Sequence, residues 1–588
     1  EANNFLDKVA MMSALKKIAA PEQDRIRVCF GGTPHIDEIF YLYSKKDARV
    51  IMPLAVVLVM VGLFFIFRHV ATTVIPLVII LLSTLWLFGI MGFLGIRLNV
   101  ITVNVCVIVL TISVADSIHI LSDYYQWLIR GDSREAAIKK SFVDLFTPCV
   151  FNAATTIAGM LSLLVSSLRP VREFGLFSAL GVGLALILSM TLIPVILSFA
   201  SPPHRLFIER FKSGLMHRAL SFLASPTLKR SVWILSVSAV LFAVSLFYLS
   251  KLDVGANVLN YFKKDDPVRL ETHAIEDQLS GVGSVEFVIT TRQDGLKDVR
   301  VLNKIEQFQK WLKTLGGVAH IVSITEELKD MNRVFGREGE NTSVLPASTD
   351  RIAQYFFVLE SEDDFESVVQ DNYTVTRISM RVRLSDAREL ARQVPLIEEK
   401  LETELGDAVI QSSMTGFVKL MHNMETYLLA SQKNSISVTL VSVVIMLSLF
   451  FKSLRLGLLS LIPNIIPIVL GLAFMAVRGI SVDPGTVMIA SICLGIVVDD
   501  TVHFLSRLKK LKKQHVSLES AIGQAMHEMG RPIMITSLVL ALGFAVLVFA
   551  SFNPNVYFGL ISALVILAAL VAELVVMPAV LVVFKPRI

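Results

Sequence analysis

Eleven stretches of this 588-residue chain are apolar for the length a helix needs to cross a bilayer, and little else about its fold is as strongly constrained. They fall at roughly 51–67, 74–94, 99–128, 147–168, 173–199, 231–250, 434–451, 456–477, 484–506, 532–551 and 556–584. A spanning helix takes about 20 apolar residues, because hydrocarbon offers a backbone N–H or C=O no partner outside its own segment. Composition agrees: 54% of residues are hydrophobic and 18% charged, with a mean hydropathy of +0.65. A water-soluble chain of this length needs more charged surface than that. The expected fold class is therefore an α-helical polytopic membrane protein.

Positive charge orients the spans. Arg68, the 205–230 loop with Arg205, Arg210, Lys212, Arg218, Lys229 and Arg230, then Lys452, Arg455 and the run Arg507, Lys509, Lys510, Lys512 and Lys513 all fall on one side. Lys585 and Arg587 join them, and the positive-inside rule makes that side cytoplasmic. The N-terminus and the long segment after the sixth span then lie opposite. Residues 1–24 are polar and helix-like, without the apolar stretch of a signal peptide. No Lys/Arg run is interleaved with aromatics, which argues against a nucleic-acid partner. The cysteines (Cys29, Cys106, Cys149 and Cys493) are isolated, so neither a disulfide framework nor a zinc motif is expected.

The chain repeats itself. Adding 384 to a residue number takes Gly32 to Gly416, Gly95 to Gly479, Asp116 to Asp500, His119 to His503 and Pro148 to Pro532. The same offset takes Gly159 to Gly543, Pro170 to Pro554, Phe174 to Phe558 and Pro194 to Pro578. A constant offset over that length implies two structural copies of one helical bundle, related by about half a turn around the membrane normal. The span at 231–250 has no partner after Glu1, which predicts a twelfth span and most of a first soluble domain ahead of the sequence. The expected divisions are 1–48, the end of a first periplasmic domain; 49–200, the first transmembrane repeat; 201–230, a cytoplasmic linker; and 231–252, the span opening the second half. Residues 253–430 form a second periplasmic domain and 431–588 the second transmembrane repeat.

Within 253–430 the pattern reads as strand at 284–291, helix at 298–315, strand at 318–324, strand at 373–384, helix at 386–405 and strand at 408–414. That alternation suggests two small α+β modules. Residues 2–20 and 25–31 match the last helix and strand of this segment at the same offset.

Charged groups inside a bilayer cost several kcal/mol each and mark function more often than structure. One helix reads Thr111-Ile-Ser-Val-Ala-Asp116-Ser-Ile-His119, and its copy Gly495-Ile-Val-Val-Asp499-Asp500-Thr-Val-His503. The Asp-to-His spacing of three puts each pair on one helical face, and the symmetry would bring Asp116 opposite Asp500. Low dielectric favours a neutral carboxyl, and a facing carboxylate favours it further, so such a pair suits uptake and release of a proton. The alternative is a polar pair that ties two helices together. Asp499 is open to either reading, since its counterpart is Ala115. His119 and His503 are either relay partners or interfacial histidines. On the following helices Asn152, Thr155 and Thr156, and Thr536 and Ser537, either serve the carboxylates or pack helices. Glu573 is either a third titrating group or a snorkelling one.

With these residues on the page the chain resembles the resistance–nodulation–division (RND) superfamily, in the branch of MmpL lipid exporters, hopanoid transporters, Patched and Niemann–Pick type C proteins. The resemblance rests on Gly495-x-x-x-Asp499-Asp500, on Asp116 at the matching place, and on a five-span block after each soluble segment, over essentially the whole chain. Thr111 and Ala115 depart from the motif in the first copy. The intramembrane lysine of the multidrug branch is missing, and the soluble loop is too short to dock an outer-membrane channel. The resemblance implies an inner-membrane secondary transporter that uses proton flow, with no cofactor, to move lipids or other hydrophobic or amphiphilic molecules. It also implies an apolar pocket in the 253–430 domain, and it is compatible with a periplasmic carrier or adaptor protein and with a homo-oligomer. A lipid- or sterol-sensing scaffold and a protein-export accessory of the SecD/SecF type share the bundle and are the alternatives. Neither a phosphate loop, nor G-x-S-x-G, nor His-Glu-x-x-His is present, so an enzyme is not expected.

Overall fold

The computed structural model describes residues 5–23, 25–67, 70–96, 98–199, 220, 227–255, 257–279, 281–335, 344–361, 365–370 and 372–586. The linker expected at 201–230 lies outside the described residues except for Leu220 and 227–230, as do Arg68 and Arg587. Among the described residues the helices run α1 (Phe5–Ala19), α2 (Thr33–Phe67), α3 (Val70–Phe93), α4 (Val105–Ile129), α5 (Arg134–Leu161), α6 (Arg169–Phe199) and α7 (Ser231–Leu249). Next come α8 (Pro267–Gln278), β1 (Gly283–Thr290), α9 (Val299–Leu312), β2 (Val318–Val322), α10 (Ile324–Phe335), α11 (Thr349–Leu359), β3 (Val369–Gln370), β4 (Val375–Val382), α12 (Ala387–Leu405) and β5 (Gln411–Gly416). The chain closes with α13 (Phe417–Phe451), α14 (Leu454–Ser460), α15 (Ile462–Val477), α16 (Ile489–Lys512), α17 (Leu518–Ala545), α18 (Asn553–Val571) and α19 (Met577–Phe584).

Two compact units result, one of Glu1–Phe40 with Gly255–Thr426, the other of Tyr41–Val254 with Tyr427–Ile588. In the first, β1 lies between β4 and β5, antiparallel to both, giving the order β2-β4-β1-β5. The outer edge of β4 takes β2 at Ser379–Val382 and the short β3 at Val375–Thr376. Val285, Phe287 and Ile289 point to one face, where the apolar stripes of α9 and α12 cover them. Phe287 meets Phe308 edge-on at 5.2 Å. This is one sheet, not two modules: β5 returns to pair with β1 across more than a hundred residues, and such pairing leaves no local trace. Residues 25–31 are not a strand either. Among the described residues no strand lies beside them, and the Phe30 N–H instead donates to Glu271 at 2.8 Å.

The second unit holds the membrane helices. Eleven helical segments among the described residues are long and apolar enough to span a bilayer, and four of them outrun their apolar runs. Those four begin at Thr33, Arg134, Phe417 and Leu518, some 13 to 18 residues before the apolar runs at 51, 147, 434 and 532 begin. Hydropathy reports the lipid-exposed length; the helical hydrogen-bond ladder continues into water wherever propensity allows.

The offset of 384 recurs in the coordinates. Helices starting at Thr33, Val70, Val105, Arg134 and Arg169 have counterparts starting at Phe417, Leu454, Ile489, Leu518 and Asn553. Gly95 and Gly479 share a positive φ, of 67° and 65°. The helix caps repeat as well: Ser133 accepts from the Ala136 N–H, and Ser517 from the Ser520 N–H. The copies also touch reciprocally. Gly159 of α5 lies on Gly495 of α16, while Gly543 of α17 lies on Thr111 of α4, the residue equivalent to Gly495. Phe174 meets its own counterpart Phe558 edge-on at 6.2 Å. Contacts in which i meets j and j meets i define a two-fold relation. On its axis lie α4 and α16, whose apolar stretches are wholly buried, whereas that of α7 is only 6% buried.

One repeated turn carries a charge in only one copy. Asn99 Oδ1 accepts from the Ile101 and Thr102 N–H groups, and Asp483 Oδ1 from those of Gly485 and Thr486. Burial raises the Asp483 carboxyl to about 6, against the pull of its three donors. A folded-state pKa above the unfolded one means that the native state holds the extra proton. Stability is therefore greatest below pH 4 for this group and is lost as pH rises through 6. Asp483→Asn, which installs the residue the first copy already uses, should gain on the wild type by on the order of 2 kcal/mol between pH 4.5 and 7.5. Thermal unfolding at both pH values checks it; an equal gap at the two would contradict it.

Candidate functional site

The acidic residues sit at mid-length on α4 and α16, where the run of Val, Ile and Leu demands lipid or protein around it. Asp116, Asp499 and Asp500 are all buried, as are His119, His503 and Glu573. Each of the equivalent acids is held by the next helix of its own copy. Asn152 Nδ2 of α5 donates to Asp116 Oδ1 at 3.4 Å. At the equivalent place on α17, Thr536 Oγ1 lies 3.3 Å from Asp500 Oδ1, and Ser537 Oγ donates to Asp500 Oδ2 at 3.1 Å. The spacing that makes this work is helical: residues 116 and 152, like 500 and 536, come level where two antiparallel neighbours cross.

Among the described residues no hydrogen bond joins Asp116 to Asp500. The axis is occupied instead by the histidines: the rings of His119 and His503 stack at 4.0 Å between centroids, 5° from parallel. Asp499 reaches both, its Oδ1 lying 3.3 Å from His503 Nε2 and its Oδ2 3.9 Å from His119 Nε2. The two histidines are thus interior groups, 1% and 2% exposed. Thr155 does not reach an acid; its hydroxyl donates to the Asn152 carbonyl at 2.8 Å. Thr156 donates across the copies to the Gly495 carbonyl at 3.0 Å.

Glu573 is 3% exposed, so it does not snorkel. It lies in a π-helical turn, Ala572–Val576, just ahead of Pro578. Proline offers no N–H and crowds the carbonyl four residues back, which is Leu574, and a wider turn relieves that clash. Thr501 Oγ1 donates to Glu573 Oε2 at 2.9 Å, and Asn464 Nδ2 donates to Thr501 at 3.0 Å. Sequence reading missed Asn464 and Thr501. The available signal was an Asn in the apolar run of α15 and a hydroxyl directly after Asp500; the equivalents, Ile80 and Ser117, give the first copy no such chain.

At one end of the bundle lies a cavity of about 80 Å³ lined by both histidines, Asp123, Asp144, Arg507 and Lys510. Its mouth is charge-paired, Lys510 with Asp144 at 2.8 Å and Arg507 with Glu528. Chain termini of several spans gather at the same end through basic side chains: Arg455 donates to the Phe584 carbonyl at 2.9 Å and Lys509 to that of Phe451 at 3.3 Å. A second, apolar groove of about 360 Å³ lies between α7 and α15, lined by Leu235, Ala239, Phe242, Leu461, Ile462 and Ile466 among others. An apolar pocket is expected in the 253–430 segment; the cavity described there is of another kind. Beside β3 the segment has a polar cavity of about 600 Å³ with Glu360, Glu366, Gln370 and Asn372 in its wall.

Known proteins agree with this architecture. A membrane protein of Methanocaldococcus jannaschii is 22% identical over 333 residues, 55% of this chain and 83% of that protein. Protein patched homolog 2 of mouse is 32% identical over 126 residues and its human counterpart 32% over 138. Those matches take in 21% and 23% of this chain but only about a tenth of each Patched protein (10% and 11%). The profile of the MMPL family matches residues 6–223 and 283–587. With most of its length covered, and with a duplicated helical bundle carrying acids at its axis, the chain belongs to the MMPL family of multi-pass membrane proteins.

Proposed function

We propose that this protein is a secondary transporter, driven by the proton-motive force, that moves lipids or other hydrophobic or amphiphilic molecules across or out of a bacterial inner membrane. MMPL family members are membrane transporters rather than enzymes. The observation that carries the energy source is the duplicated acid. Asp116 and Asp500 are buried at equivalent places in an apolar bundle, each with a neutral hydrogen-bond donor and, among the described residues, without a salt bridge to Lys or Arg. A carboxyl group so placed gains nothing structurally that Asn would not give, but it can carry a proton. The cavity at the basic end gives such a proton a polar way to that side, which the positive-inside rule makes cytoplasmic. For the cargo, the support is the apolar groove between α7 and α15, whose lining suits acyl chains and little else.

The test is reconstitution. Liposomes holding the purified chain and a fluorescently tagged phospholipid are given an imposed pH gradient, and transfer of the probe to external albumin is followed. Transfer should rise several-fold with the gradient and fall to the protein-free rate with a protonophore. Transfer indifferent to the gradient would remove proton coupling, and none under any gradient would remove the lipid.

A further inference from the structure

Three potential metal ligands from two helices converge on the bundle axis. His119 comes from α4, Asp499 and His503 from α16, and their ligand atoms lie within 4.8 Å of one another. We propose that His119, Asp499 and His503 form a binding site for a divalent transition-metal ion of the zinc class, held between α4 and α16. This goes beyond the transport reading and does not depend on it.

The donor set is the first argument. Two imidazoles and one carboxylate, with room for a fourth ligand, suit Zn²⁺ and its neighbours, whereas Mg²⁺ and Ca²⁺ want oxygen throughout. Tetrahedral ligands at about 2.1 Å from a metal are about 3.4 Å apart. His503 Nε2 and Asp499 Oδ1 already stand at 3.3 Å and Asp499 Oδ2 and His119 Nε2 at 3.9 Å, and binding one ion requires the two stacked rings to tilt out of parallel so that both planes pass through it.

Unmet bonding is the second. Both ring nitrogens of His119, Nε2 of His503 and Oδ1 of Asp499 have no hydrogen-bond partner, although all are buried. Leaving a buried polar atom without a partner is unfavourable, and here four such atoms cluster in one place. Metal coordination satisfies Nε2 of each histidine and the carboxylate together. The cavity at the basic end is lined by both histidines, which gives the ion an entry path.

Asymmetry is the third. Asp116 with His119 recurs as Asp500 with His503, yet Asp499 has Ala115 as its equivalent. A group lying between two symmetry-related histidines needs to be supplied only once, and a second carboxylate would crowd the same space. A proton relay built from one acid and one histidine per copy would have no use for this single extra acid. A three-ligand site on the axis does.

The purified full chain is stripped with EDTA, desalted and titrated with ZnCl₂. The expected result is one Zn²⁺ per chain by elemental analysis and a rise in thermal midpoint, unaffected by excess MgCl₂. His119→Gln and His503→Gln should each weaken uptake at least about 100-fold, while the exposed His527→Gln leaves it unchanged. Absence of saturable uptake by the wild type, or equal uptake by both cluster variants, overturns the proposal. Should either variant fail to fold, Co²⁺ decides with the wild type alone: an intense tetrahedral absorption in the visible supports the site, and only the weak band of hydrated Co²⁺ refutes it. Uptake is read without transport, so its failure leaves the proton reading untouched.

Discussion

Asp500→Asn should stop proton-driven transport while leaving the protein folded and inserted. The amide keeps the shape of the carboxyl; its oxygen can still accept from one of the two hydroxyls, Ser537 or Thr536, and its NH2 can donate to the oxygen of the other, so the packing of α16 on α17 is kept. Removing an ionisable group from an apolar interior is neutral at worst for stability. What disappears is the proton the side chain can release. Asp116→Asn should be equally severe, because Asn152 fixes it as Ser537 and Thr536 fix its twin. In the reconstituted assay both variants are expected to fall to the protein-free rate, losing the whole several-fold rise that the gradient gives the wild type, with unchanged thermal midpoints. Wild-type transport by both variants would make these carboxyls helix ties and end the claim of coupling.

The second large effect is expected at Gly159. A Cβ placed there would stand 3.0 Å from the Ser491 carbonyl and 3.1 Å from Gly495 Cα, and one at Gly495 would stand 3.3 Å from Thr156 Cα. These neighbours are backbone and cannot rotate away, so any side chain must push α5 off α16. Small residues at such crossings are what let two membrane helices approach. Gly159→Leu is therefore expected to destabilise by about 3 kcal/mol or more, at the upper end for overpacked interiors, and to break the bond from Thr156 to the Gly495 carbonyl. Gly89→Leu is the control, since nothing lies within 4 Å of a Cβ at Gly89 and the helix gains from the exchange. Chemical denaturation in detergent compares them. Equal midpoints would mean that the crossing is looser than it stands here.

How much of this could be read beforehand varied with the range of the interaction. Spans, repeat and acids follow from local composition and a constant offset, so they were legible. The span ends were not, because hydropathy is silent once a helix leaves the apolar layer, as Arg134–Leu161 and Leu518–Ala545 do. The single sheet was hidden for the opposite reason: β1 finds β5 only through the fold. At the site, sequence spacing placed Asp116 with His119 and Asp500 with His503 on common faces. It could not show that Asp499, facing a different direction from Asp500, is the residue that meets both histidines. Nor could it show that Asn464 and Thr501 lead to Glu573, since no motif links three helices.

The π turn at Ala572–Val576 bears on how the two halves differ. The offset of 384 holds on both sides of it, from Phe174 and Phe558 to Pro194 and Pro578, so the second half carries no extra residue there. The same length of chain is simply coiled more loosely in one half than in the other, where α6 runs as an unbroken helix to Phe199. The helical stretch after it, Met577–Phe584, is thereby set at a different rotation from its twin, like a screw backed off by part of a thread. Tightening the coil to match α6 would need no change in covalent length. It would swing Glu573 away from Thr501 while both ends of the span stayed in place. A protein assembled from two copies of one bundle has, in this one loosened coil, a mechanical means of being unequal.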